Sequence, residues 1–220
     1  TANEQIMESI HYASGIQYCV LPSYDIIKES LSDFFIIWQP RDNVGGDIYW
    51  FEKWGSGWLL SIADCTGHGV PGAFITLLAK GALDLALLAV DEGNTAKLIA
   101  TTHQVISAKL VNNKKDDFSD AGLDIGVCYI PPHKKTLHYC GAKFSLFLHD
   151  GKEIIEIKGD KKAIGYRDTP YNTAFTSHTI NIADNMRFYM TSDGLMDQIG
   201  GEKKRSFGKK RFTTLLSQIW

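Results

Sequence analysis

The sequence predicts an α+β fold: two antiparallel β-sheets stacked face to face and flanked by helices, an α/β/β/α sandwich. Three observations lead there. Apolar runs of strand length come first, two long helical patterns follow, and six short strand patterns separated by turn clusters come after those. That order fits antiparallel sheets and argues against an alternating βαβ repeat. The 220 residues, 44% hydrophobic and 22% charged, suffice for one sizeable core and are too apolar for intrinsic disorder. No internal repeat, low-complexity tract or linker divides the chain.

Taken in order, Ile6, Ile10, Ala13, Ile16 or Gln17, and Val20 recur at helical spacing through Asn3 to Leu21, an amphipathic helix stopped by Pro22. Residues 1–21 are therefore expected to form a lead-in switch helix from an upstream module, able to pair with a second copy; residues 22–220 form the domain itself. The run Asp33 to Gln39 reads as a buried strand, followed by a turn-rich segment from Pro40 to Asp47. Strands Ile48 to Trp54 and Trp58 to Ala63 flank Gly55-Ser56-Gly57 as a hairpin would. From Gly72 to Val90 the chain is apolar nearly all round, with only Lys80 and Asp84 charged, which predicts a helix buried against a sheet. A second helix spans about Thr95 to Val111. Short strands follow at Leu123 to Ile130, Thr136 to Gly141, Phe144 to His149, Glu153 to Lys158, Phe175 to Ile182 and Arg187 to Thr191. A last helix covers about Lys209 to Ile219.

Charge and cysteine usage remove several function classes. A net charge of -2 offers no basic field for a phosphate backbone, so nucleic acid is not an expected partner. The longest apolar run, Ala82 to Val90, is broken by Asp84 and falls short of the ~20 residues that cross a bilayer. The opening Thr1-Ala2-Asn3-Glu4 lacks a secretion-signal pattern, so a cytoplasmic domain is expected, one that a membrane-anchored sensor could carry. Cys19, Cys65, Cys128 and Cys140 form no Cys-x-x-Cys pair and read as reduced core thiols. The histidines His11, His103, His133, His138, His149 and His178 lack zinc-hydrolase spacing, and most of them read as surface or turn residues.

Three segments place an aspartate beside glycines at the end of a strand: Val44-Gly45-Gly46-Asp47, Asp64-Cys65-Thr66-Gly67-His68-Gly69 and Thr191-Ser192-Asp193-Gly194. Glycine allows close backbone approach and aspartate supplies hard oxygen donors, which together suit Mg²⁺ or Mn²⁺. Singly, each is an ordinary turn; their joint occurrence suggests a carboxylate metal site. Arg41 stands near the first of them and reads as a solvated surface arginine before a phosphate clamp. Asp116, Asp117, Asp120 and Asp124 read as solvated carboxylates leading into a strand. The cluster Lys203, Lys204, Arg205, Lys209, Lys210 and Arg211, interleaved with Phe207 and Phe212, is either a solvated face or a docking surface for an acidic phosphoprotein.

At these residues the chain resembles the SpoIIE-type branch of the metal-dependent protein phosphatase (PPM) superfamily. The resemblance spans nearly the whole chain, from Tyr12-Ala13-Ser14-Gly15-Ile16-Gln17 through the Asp47 turn and the Asp64 to Ala73 loop to Thr191–Gln198. The run Asp193 to Gly201 is most similar to the SiaA-like subgroup. The resemblance implies two Mn²⁺ or Mg²⁺ ions, with Asp64 bridging them, Asp47 and the Cys65 backbone carbonyl holding one, and Asp193 holding the other. It implies hydrolysis of phosphoserine or phosphothreonine on a bacterial regulatory protein resembling an anti-sigma-factor antagonist. Cys65 would then serve through its carbonyl, with no thiol nucleophile. His68 would either protonate the leaving oxygen or hold its loop by hydrogen bonds. Lys203, Lys204 and Arg205 would dock the protein substrate.

One expected motif is not met. The family usually carries a further metal-binding aspartate on a last strand, in an Asp-Asp-x-Thr context, and none follows the final helical segment here. Truncation before that strand is the expectation. A catalytically degenerate phosphoprotein-binding module and a metal-dependent nucleotide phosphodiesterase are the rival readings.

Overall fold

The computed structural model describes residues 1–111 and 120–219. Asp116, Asp117 and Trp220 lie outside the described residues. In chain order the elements are α1 (Ala2–Cys19), α2 (Tyr24–Ser30), β1 (Asp47–Trp54), β2 (Gly57–Cys65), α3 (Gly69–Ala89), α4 (Thr95–Val111), β3 (Leu123–Ile130), β4 (Thr136–Ala142), β5 (Ser145–His149) and β6 (Ile154–Lys158). They continue with β7 (Ser177–Asn181), β8 (Arg187–Tyr189), the single turn α5 (Asp193–Met196), the short strands β9 (Ile199–Gly200) and β10 (Arg205–Ser206), and α6 (Gly208–Gln218).

Five strands make an antiparallel sheet in the order β1-β2-β3-β4-β7, and β6-β5-β8 make a second. The period-2 alternation of side chains divides the large sheet into two working faces. On one face Ile48, Trp50, Leu59, Ala63, Ile125 and Val127 pack with Ala79, Leu83 and Ala86 of α3 and Leu98 and Ile99 of α4. On the other, Cys128, Ile130, Leu137 and Tyr139 meet Leu146 of the second sheet, with Trp58 and Leu60 beside them. Phe147 of β5 then packs outward against Phe212 and Leu216 of α6. Helices, sheet, sheet and helix therefore stack as the α/β/β/α order that the sequence predicts.

α3 runs 21 residues, long and apolar enough to cross a membrane by length and composition, and longer than the Ala82 to Val90 run suggests. Its packing against the large sheet and α4 accounts for that apolarity. Its charged residues are paired: Lys80 binds Asp84 one turn on and approaches Glu52 of β1 at 3.6 Å.

The structure corrects the sequence reading at Asp33 to Gln39, at Cys19, at two histidines and at one helix. Asp33 to Gln39 forms no strand; Phe35 and Ile37 are exposed. A continuous apolar run has β-propensity but no alternation to define a face, and propensity alone does not supply a neighbouring strand. Its rings pack singly instead, Phe34 on Tyr24 at 4.6 Å and Trp38 edge-on to Tyr18 at 5.0 Å. Also, the thiol of Cys19 is exposed and is no core group, and His103 and His149 are buried, not surface residues. The helix α2, absent from the sequence reading, is capped by Ser23, whose hydroxyl accepts from the Ile26 N–H at 3.4 Å.

Candidate active site

Strand register builds the site. Asp47 on β1 is directly opposite Asp64 on β2, and Asp64 is directly opposite Asp124 on β3. Residues opposite each other across antiparallel strands present side chains on the same face. Three carboxylates therefore stand in a row at one end of the large sheet, on the face toward the second sheet. Where the row ends, Asp193 arrives at the start of α5, after β8. Ser192 ties the two sides together, its hydroxyl donating to Asp47 Oδ2 at 2.7 Å.

The backbone around this row is tightly packed, and glycines make that possible. A Cβ on Gly46 would fall 2.5 Å from the Gly67 carbonyl oxygen and 2.7 Å from that of Cys65. One on Gly72 would fall 2.4 Å from the Gly67 oxygen. The Asp47 turn, the Asp64 loop and the start of α3 thus touch backbone to backbone. From the other side, buried Gln17 of α1 donates to the Gly45 carbonyl at 2.7 Å and to Thr76 Oγ1 at 3.1 Å, and accepts from the Gly45 N–H at 3.1 Å. The indole of Trp38 donates to the Asp47 carbonyl at 2.9 Å.

Electrostatically the cluster is a set of like charges held together. Burial, then the charges of Asp47, Asp193 and Asp124, pushes Asp64 up to about 8. Burial likewise raises Asp47, against the lowering effect of the Ser192 hydrogen bond, and raises Asp124 against the lowering effect of Lys143. Asp124 Oδ1 is buried without a hydrogen-bond partner. Among the described residues no three His, Cys, Asp or Glu side chains surround one common point as an ion would gather them. The donors nonetheless fit a divalent cation: hard carboxylate oxygens, mutually repelling, partly desolvated, with one acceptor unused.

Three of these carboxylates, Asp64, Asp124 and Asp193, line a cleft of about 150 Å³ between the sheets, which Lys143, Ser192 and Lys209 also border; Asp47 stands behind it, bonded to Ser192. A larger groove of about 560 Å³ lies between α1 and the start of α3, lined by Ile6, Ile10, Ala13, Val70 and Phe74. It holds no ionisable side chain, so the smaller cleft is the place for chemistry.

The remaining residues named from sequence fall into place around it. The Cys65 side chain is buried on the opposite, helix-facing side of β2, where burial raises its thiol pKa and works against a thiolate. His68 Nδ1 lies 3.3 Å from Asp42 Oδ2, which is the loop-holding contact among its two expected roles; it does not border the cleft. Arg41 is exposed and also lies away from the cleft. Lys203, Lys204 and Arg205 are exposed around the β9–β10 turn and make no ion pair among the described residues. Lys209 reaches the cleft but binds Glu156 Oε1 at 2.6 Å. Sequence reasoning missed Asp124 and Lys143. Asp124 had a usable signal, since a strand starting at Leu123 and antiparallel to β2 can bring it opposite Asp64; Lys143 had none.

Known proteins match this arrangement. The family model for Stage II sporulation protein E (SpoIIE) matches residues 55–219. The SiaA-PP2C domain of Pseudomonas aeruginosa is 36% identical and superimposes with a TM-score of 0.84, over 98% of this chain and 82% of that one. The RsbU and RsbW domains of Rv1364c from Mycobacterium tuberculosis align with a TM-score of 0.61 at 17% identity, over 80% of this chain and 46% of that one. The PP2C phosphatase domain of SpoIIE from Bacillus subtilis aligns at 0.53 and 17% identity, over 69% and 42%. At such identity the last two show a shared fold. No curated protein sequence matches the chain.

Proposed function

Because this chain belongs to the SpoIIE family of PP2C-type phosphatase domains, we propose that it hydrolyses phosphoserine or phosphothreonine on a bacterial regulatory protein resembling an anti-sigma-factor antagonist. The observation that carries the proposal is the cross-strand row Asp47, Asp64 and Asp124 with Asp193 beside it. Asp47, Asp64, Asp193 and the Cys65 carbonyl would hold two Mn²⁺ or Mg²⁺ ions, which would supply an activated water and polarise the phosphoryl oxygens. The chain's own residues do the rest. Ser192 fixes the Asp47 carboxyl, the Gly46, Gly67 and Gly72 contacts fix the loop bearing Asp64, and the second sheet shields one side of the cleft from water.

The reading extends to organisation. Residues 1–21 act as a switch helix from an upstream sensor in the same protein, which a membrane anchor could hold at the cytoplasmic face, and they are the seat of a possible homodimer. Residues 22–220 are the phosphatase domain. The exposed Lys203, Lys204 and Arg205 dock the phosphorylated protein.

The test is phosphate release from p-nitrophenyl phosphate with Mn²⁺, by this chain and by a form extended at its C-terminus. Activity should require Mn²⁺ and vanish in Asp64→Asn and Asp193→Asn made in the extended form. A folded, extended protein that binds a phosphoprotein without turnover would replace the enzyme with a binding module.

A further inference from the structure

We propose that Lys143 is the residue that grips the phosphate of the substrate, an inference that rests on the phosphatase reading of the cleft. Lys143 sits in the turn between β4 and β5 and borders the cleft beside Asp64, Asp124 and Asp193. Its φ is +53°, in the left-handed region, where a residue other than glycine, asparagine or aspartate is uncommon. The turn is nevertheless pinned. The Lys143 N–H donates to the Asp160 carbonyl at 2.7 Å, Asp160 N–H to the Gly141 carbonyl at 2.8 Å, and Gly159 N–H to the Phe144 carbonyl at 2.9 Å. A strained backbone held this firmly fixes where the lysine side chain starts, at the rim of the cleft.

That side chain is the cation available for an anion. Lys209, the other cation at the cleft, is bound by Glu156, which also accepts from the Ser145 hydroxyl at 2.9 Å. Arg41 lies away from the cleft. Lys143 makes one long ion pair, 3.5 Å to Asp124 Oδ2, and its side chain is 61% exposed, so it can turn toward a ligand at small cost. Four carboxylates alone would repel a phosphate monoester. Two divalent ions would cancel their charge and leave Lys143 as the uncompensated positive group facing the bound anion. Asp124, paired to Lys143 and opposite Asp64 in register, then holds the ammonium between the metal-binding row and the phosphoryl oxygens.

Binding of inorganic phosphate, measured by calorimetry at saturating Mn²⁺, tests the inference without requiring turnover. Lys143→Asn is the informative variant, because asparagine accepts the left-handed backbone while removing the ammonium and its reach. Losing one charge-assisted contact should weaken phosphate binding by about 10- to 100-fold, while Lys143→Arg should stay within about threefold of wild type. The melting temperature of Lys143→Asn should not fall. Phosphate binding that is absent in wild type, or equally tight in Lys143→Asn, overturns the proposal. So does a change confined to Mn²⁺ affinity, which would make Lys143 a partner of Asp124 alone. Hydrolysis of p-nitrophenyl phosphate by wild type is read separately: its absence sinks the phosphatase reading, whereas intact hydrolysis with unchanged phosphate binding in Lys143→Asn sinks only the lysine.

Discussion

At the scale of single residues, the aspartates and glycines were readable because their chemistry is local: a carboxylate next to a glycine at a strand end has few other uses in combination. Most histidines lie at the surface or in turns as the sequence suggests, but His103 does not. His103 lies in the core, where Nε2 faces the Pro170 carbonyl at 3.1 Å and Nδ1 accepts from the Gly165 N–H at 3.0 Å. The Gly165 N–H aimed at Nδ1 favours a neutral ring, and the Ser107 hydroxyl, 3.3 Å from the same nitrogen, can donate to it as well. Burial accordingly lowers the His103 pKa, against the raising effect of the Pro170 carbonyl. With the folded value below the unfolded one, the native state binds fewer protons. Stability from this group is fully present above about pH 6.5 and is lost as pH falls below it, by at most about 1.4 kcal/mol per pH unit for one proton. The raised carboxylates of the cleft slope the other way, so the difference between wild type and His103→Gln is what isolates the histidine. Thermal melts at pH 7.5, 6.5 and 5.5 should show that difference shifting in favour of the glutamine variant as pH drops. A constant difference would remove the histidine from the pH response.

At the scale of elements, helical and strand periodicity located nearly every segment, and the boundaries moved by a few residues. Asp33 to Gln39 failed because a strand exists only with a neighbour. α1 shows the converse: its pattern was legible, but its one buried side chain is the polar Gln17. That amide is what joins the lead-in helix to the Asp47 turn and to α3. Gln17→Ala would leave the Gly45 N–H and carbonyl and Thr76 Oγ1 short of a partner, a loss of about 1–3 kcal/mol for each buried group left unsatisfied. Melting should therefore drop, and Mn²⁺ affinity with it, because the turn carrying Asp47 loses its anchor. An unchanged Mn²⁺ affinity would separate α1 from the site. Deleting residues 1–21 should likewise alter activity or oligomeric state; if neither changes, the switch-helix assignment falls.

At the scale of the whole molecule, an acidic cleft borders a basic surface. On the phosphatase reading proposed above, the cleft would act on any phosphate ester, whereas Lys203, Lys204 and Arg205 stand outside it on the β9–β10 turn. Changing all three to glutamine should lower kcat/KM for a phosphoprotein severalfold, more at low salt than at high, and leave p-nitrophenyl phosphate hydrolysis unchanged. Equal losses on both substrates would assign the basic turn to the stability of the domain. The sequence by itself determined the α+β class, the order of the elements and three of the cleft aspartates, because side-chain periodicity and glycine-aspartate turns are written within a few residues of chain. Only the tertiary structure decided that Asp47, Asp64 and Asp124 share one row, that Gln17 reaches the Asp47 turn, and that Lys143 borders the cleft. Those facts depend on strand register and sheet stacking, which bring together residues from 17 positions apart, Asp47 and Asp64, to 146, Asp47 and Asp193, and no local pattern specifies such distant pairings.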